Sequence, residues 1–127
     1  MNKEIIICII VIVFVITIDI ISQNFTKDSI KKITDNLDAL RNVVKEEVVE
    51  ESNNITENIL DMWDEKYEVL SFYIEHTELE KVKTELVELK ANVEEEQYGE
   101  AVGNIDRSTY LLEHIKQKMS FQIKNIF

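Results

Sequence analysis

From Ile5 to Ile18 the sequence reads IIICIIVIVFVITI, a run whose only polar side chain is Thr17. Asp19, Ile20 and Ile21 come next, so the apolar stretch covers 17 residues and carries one charge. As a helix it is roughly 25 Å long at about 1.5 Å per residue. A bilayer core is about 30 Å thick and takes roughly 17–25 residues, so the run is a short but sufficient span. A cleaved signal peptide is the rival reading. It needs small residues at its cleavage site, and IDIISQNF offers only Ser22, with Ile20 two positions before it. A lipoprotein needs a Cys after the run, and Cys8 lies inside it. We therefore expect a tail at residues 1–4, an uncleaved transmembrane anchor at 5–21 and a helical domain at 26–127.

The flanking charges point both ways about orientation. Lys3 precedes the span while Lys27, Lys31 and Lys32 lie after it, which by Lys and Arg alone keeps the domain in the cytoplasm. A short tail with an early Lys is instead the usual start of a signal-anchor, which exports the domain on its C-terminal side. The expectation adopted is a single-pass cell-membrane protein with its soluble domain outside the cytoplasm. The domain has no Cys, so it needs neither a disulfide nor a reducing compartment. A net charge of −11 argues against nucleic acid, whose phosphates attract Lys and Arg patches.

The chain has no Pro, and its two glycines are Gly99 and Gly103. That scarcity suits an all-α domain with short connections. Ile30, Ile33, Leu37, Leu40, Val44 and Val48 step by three or four, the spacing of one helix face. A second segment carries Ile55, Ile59, Met62, Trp63, Val69, Leu70, Tyr73 and Ile74 over a wider arc, with Phe72 pointing away from it. A third carries Leu79, Val82, Leu86, Leu89 and Val93, and a fourth Ala101, Ile105, Ser108, Leu112, Ile115 and Met119. Helices are expected at about 26–51, 54–75, 78–97 and 100–124. Asn54 with Glu57 and Thr77 with Glu80 have capping-box spacing, in which the cap accepts from the third helical N–H and the Glu reaches back. Gly99 fits the break before the fourth helix. Short connections make neighbours antiparallel, giving an N-terminal transmembrane helix followed by an antiparallel four-helix bundle. Nothing breaks the chain firmly between Ile21 and Thr26, so the first bundle helix can continue out of the span.

This topology sorts the charges. Lys27, Lys31, Lys32, Lys116, Lys118 and Lys124 gather at the membrane end. There each is worth about 1 kcal/mol against an anionic surface. Glu46, Glu47, Glu50, Glu51, Glu94, Glu95, Glu96 and Glu100 gather at the far tip. A tip of carboxylates reads first as a solvated surface, and second as a weak divalent-cation or basic-partner site without calcium-loop spacing.

The stretch WDEKYEVLSFYIEHTELEKV, Trp63 to Val82, holds the polar and aromatic residues nearest to a site. A di-metal bundle wants Glu three residues before each His, and those positions are Tyr73 before His76 and Leu111 before His114. The two His are far from the spacing of a zinc-protease helix. Ser71 has helical rather than elbow surroundings. His76 is expected as a corner residue after the second helix, its partial charge suited to the negative helix end. Trp63, Tyr67 and Tyr73 are aromatic at helical spacing, which is core more often than a ligand wall. No catalytic, cofactor or metal residue is predicted.

The order of MNK and anchor, W…Y..LSF.IEH.ELEKV, TELVELKANVE and EAV…D…YLLEHI..K..F.IKNIF resembles the domain of unknown function 4363 family. These are small bacterial proteins, mainly of spore-forming Firmicutes, with an N-terminal span. The resemblance covers essentially the whole chain. It implies an anchored helical domain and brings no activity, cofactor or catalytic residue. It marks Trp63, Ser71, His76 and Glu78 as family-pattern residues, here a packed corner.

The function expected is a non-enzymatic accessory subunit that binds another membrane or envelope protein or associates with itself. Its candidate contacts are Phe72, Phe121, Ile123, Ile126 and Phe127. The alternative is a sensor that binds a small ligand between helices near Trp63 and Tyr67.

Overall fold

The computed structural model describes residues 2–126, with side chains through Phe121. It is all-α and has four helices: α1 (Lys3–Lys45), α2 (Val49–Leu70), α3 (His76–Glu94) and α4 (Tyr98–Ile126). The predicted anchor and first bundle helix are one element. α1 runs unbroken for 43 residues, about 65 Å at the α-helical rise. The apolar run is therefore counted among the four helices and is not a fifth. The reason is local. Ser22–Phe25 contain no helix breaker, and the Thr26 hydroxyl donates to the Ser22 carbonyl at 2.8 Å within the helix. By length and composition α1 is the one helix among the described residues able to cross a membrane, and none of its apolar window is buried against the rest of the chain.

Each helix packs on its sequence neighbour, and α4 closes the ring on α1. Cross-bonds fix the antiparallel sense: Gln23 with Ser120 and Arg41 with Asp106 join α1 to α4, while Asp64 with Lys83 joins α2 to α3. The core runs along the predicted seams. Ile30, Ile33, Leu37, Leu40 and Val44 meet Ile59, Trp63 and Leu70, the five seam residues of α3 (Leu79, Val82, Leu86, Leu89 and Val93), and Ala101, Ile105, Leu112 and Ile115. Val48 and Val69, expected on seams, are exposed. Val48 is the N-cap of α2, outside the helical face of α1.

The boundaries differ from the predicted ones. Asn54 lies inside α2, and Thr77 lies inside α3. The caps are Val48 and Glu75, neither with a side-chain capping bond. Gly99 is likewise inside α4, and the break falls at Glu96 with φ 57°. Glu47 does the same at the α1–α2 turn, also at φ 57°. In both turns the chain closes identically. Glu47 N–H donates to Val44 O and Val48 N–H to Val43 O; Glu96 N–H donates to Val93 O and Gln97 N–H to Asn92 O. This is the Schellman arrangement, which reuses orphan carbonyls and needs a left-handed residue, usually Gly. Because the turn is complete by Val48, α2 begins well before Asn54.

Candidate functional site

The lower end of the bundle, where α1 leaves it, combines polar side chains with a cavity. Above Ile30 the inward face of α1 is apolar. Below it the same face carries Ser29 and Thr26, both buried, then Gln23, Ser22 and Asp19, which are half-buried. The turn between α2 and α3, Ser71 to Glu75, is held against this face. Tyr73 Oη is 2.8 Å from Thr26 Oγ1 and donates to Ser22 O at 3.3 Å. Burial raises the Tyr73 pKa, partly offset by the Thr26 hydrogen bond.

On the other side α4 descends beside α1, and Gln23 Nε2 donates to Ser120 Oγ at 3.2 Å. Lys118 reaches across to α3, donating to Glu78 Oε1 at 3.1 Å with Glu75 Oε1 at 3.8 Å. The Glu78 hydrogen bond and the charges of Glu78 and Glu75 raise its pKa. Between these elements lies a cavity of about 270 Å³ whose lining includes Ile18, Asp19, Tyr73, Ile74, Glu75 and Lys118. It brings the last turn of the apolar run into one site with the α2–α3 turn. Nothing in the sequence marks this meeting, because Ser22 and Tyr73 are far apart in the chain.

The expected corner residues are only partly together. Ser71 caps α2, with its hydroxyl donating to Glu68 O at 2.7 Å. His76 opens α3 and is not part of the end of α2, so the expected match with a negative helix end does not hold. The Glu75 N-cap places the imidazole at the positive end, held by Tyr67 Oη at 3.1 Å from Nδ1 and Glu80 Oε1 at 3.5 Å from Nε2. Trp63 sits about two turns above the corner. It is fully buried, with its ring centroid 6.3 Å from that of Tyr67. Neither Trp63 nor Tyr67 lines the cavity at the exit of α1. His114 is on the outer face of α4, stacked on Tyr110 with centroids 6.4 Å apart. Among the described residues no group of three or more His, Cys, Asp or Glu could hold a metal ion.

Of the predicted contact residues, Phe72 is 86% exposed on the α2–α3 turn and Phe121 is 64% exposed on α4. Phe121 flanks a groove of about 720 Å³ between α1 and α4 that also includes Lys27, Lys31 and Lys116. The Ile123 and Ile126 side chains and all of Phe127 lie outside the described residues. The lysines of this end are less free than their sequence suggests. Lys31 pairs with Asp35, Lys116 with Glu113 and Lys118 with Glu78, so acidic neighbours offset much of the predicted basic charge.

At the opposite tip, the two Glu-rich turns come together around Tyr98, whose hydroxyl is buried. Burial raises its pKa, and the charges of Glu96 and Glu47 raise it further. A residue with no expected role lies a turn and a half below. Asn104, fully buried, accepts from Asn92 Nδ2 at 2.6 Å and donates to Glu85 at 3.0 Å and Glu88 at 3.2 Å. Arg107 Nε completes the network at 3.1 Å from Glu85. Its only sequence signal is a polar residue beside Ile105 on the seam of α4.

The profile of a family described as a domain of unknown function, DUF4363, matches residues 20–126. The chain belongs to that family. Within this DUF4363 protein the match begins at the end of the apolar run, so the family domain is the bundle with the exit of α1, and it includes most of the cavity, the α2–α3 turn and all of α4. No curated protein and no solved structure matches the chain.

Proposed function

We propose that this DUF4363 protein is a non-enzymatic, membrane-anchored helical bundle that serves as an accessory subunit of another membrane or envelope protein. The observation that supports this reading is the continuity of α1. Its exposed apolar run enters the bundle as one rigid helix, and α4 returns to the same level carrying an exposed Phe121. Residues 5–21 are the anchor, and the domain lies outside the cytoplasm. The partner-binding surface is the returning end of α4 at Phe121, together with the C-terminal residues Ile123, Ile126 and Phe127, whose side chains lie outside the described residues.

The test is gentle solubilisation of native membranes, capture through a tag that leaves the C-terminus free, and mass spectrometry of the proteins that accompany it. A stoichiometric multi-span protein supports the subunit reading, and recovery of the chain alone or as a homodimer defeats it. Deleting residues 121–127 should weaken the partnership and leave the helical signal intact. If that signal is lost, the tail belongs to the core and the contact assignment fails.

A further inference from the structure

We propose that the α2–α3 turn is a second membrane contact, with Phe72 inserted into the lipid headgroup layer beside the exit of α1. The inference rests on residues 5–21 being a membrane span, and it adds a lipid-binding surface to the anchor. Three observations put the turn at the level of the bilayer surface. Tyr73 bonds Ser22 and Thr26, the first turns after Ile21. Ile74 and Glu75 share a cavity with Ile18 and Asp19, which belong to the last turn of the run. Finally, α1 is continuous, so no linker separates span from bundle; Ile21 to Thr26 rises only about 7.5 Å.

Phe72 is the most exposed large apolar side chain of the described residues, at 86%. At that level it faces headgroups, where an aromatic ring has apolar company without leaving the polar boundary. The span also favours seating. Its roughly 25 Å falls short of a core of about 30 Å, and the bilayer accommodates a short span partly by thinning around it, which brings the headgroups toward the flanking structure. The acidic residues of the turn do not oppose this strongly, because Lys118 faces both Glu75 and Glu78. A protein partner on Phe72 is the competing occupant, but only lipid is held beside this turn by the geometry of α1 itself.

The experiment uses the full chain in phosphatidylcholine vesicles whose acyl chains carry bromine, a short-range quencher of indole, placed near the headgroup end to read positions 72 and 49 and near the chain terminus to read position 14. Trp63 is fully buried and serves as the unquenched background. Three single variants add one indole each: Phe72→Trp at the turn, Phe14→Trp in the apolar run and Val49→Trp at the far tip. The expected result is quenching of the added indole at 14 and 72, with the fraction at 72 severalfold above that at 49. Quenching at 14 with position 72 no better than 49 overturns the lipid contact while leaving the anchor in place. Absence of quenching at 14 overturns the anchor itself, and the seating of Phe72 falls with it.

Discussion

The hydroxyl of Tyr73 and that of Thr26 lie 2.8 Å apart, and this contact ties the α2–α3 turn to the point where α1 leaves the bundle. Thr26 gives its one hydroxyl proton to Ser22 O, so Tyr73 is the donor in the 2.8 Å bond to Thr26 Oγ1, and its 3.3 Å contact with Ser22 O is the weaker branch of the same small network. The pair is the lower clasp of the bundle, closing an end where the apolar seam has given way to polar residues.

Tyr73→Phe should remove that clasp while keeping the ring. A lost hydrogen bond of this kind costs about 1 kcal/mol, read as a lower midpoint in chemical denaturation. Amide exchange should rise first in residues 71–75. Exchange that rises equally throughout the bundle would mean the turn is not a local unit.

Alkaline pH should unfold the same end. Tyr73 and Lys118 both have folded pKa values above their ordinary 10.0 and 10.5. A group with a raised folded pKa gives stability that is complete below its unfolded pKa and is lost as pH rises through the folded one. Stability from these groups should therefore hold below about pH 10 and decline above it. Tyr73→Phe should blunt the alkaline decline, and thermal melts of both proteins across that range check it.

Glu47→Gly and Glu96→Gly should each stabilise the protein. A residue with a Cβ in the left-handed region costs roughly 1–2 kcal/mol that Gly avoids. The gain shows as a higher denaturation midpoint. Glu47→Ala and Glu96→Ala are the controls: they remove the same charge but keep the Cβ. If the Ala variants gain as much as the Gly variants, repulsion among the tip carboxylates is the cause and not backbone strain.

Asn104→Ala should cost stability. It leaves Asn92 without its acceptor and Glu85 and Glu88 without a shared donor. Asn92 and Glu85 are half-buried, Glu88 is exposed and Glu85 keeps Arg107, so the loss is that of the hydrogen bonds themselves, about 1 kcal/mol each. Asn104→Leu should recover part of the stability through burial while loosening the α3–α4 register, visible as broadened amide resonances in those helices. A register role of this kind is the best-attested use of a buried polar residue between helices.

The helical plan is determined by the sequence itself. Spacing of three and four placed Ile30 through Val44, the five seam residues of α3 and the Ala101–Ile115 seam in the core. Burial of a stripe is a property of periodicity that any antiparallel partner satisfies. The length of the apolar run and the fusion of that run to α1 are equally local, since nothing in Ser22–Phe25 stops a helix. Where helices end is less local. Asn54, Thr77 and Gly99 carry the right chemistry for ends, yet the ends fall at Glu47, Glu75 and Glu96. Packing of each helix to its last core layer, Val44 or Val93, outweighed a preference worth about 1 kcal/mol per cap. Only the tertiary structure decided which polar residues meet: Tyr73 with Thr26, Lys118 with Glu78 and Asn104 with Glu85. Those pairings depend on the relative height of neighbouring helices, which apolar seams alone leave free to slide.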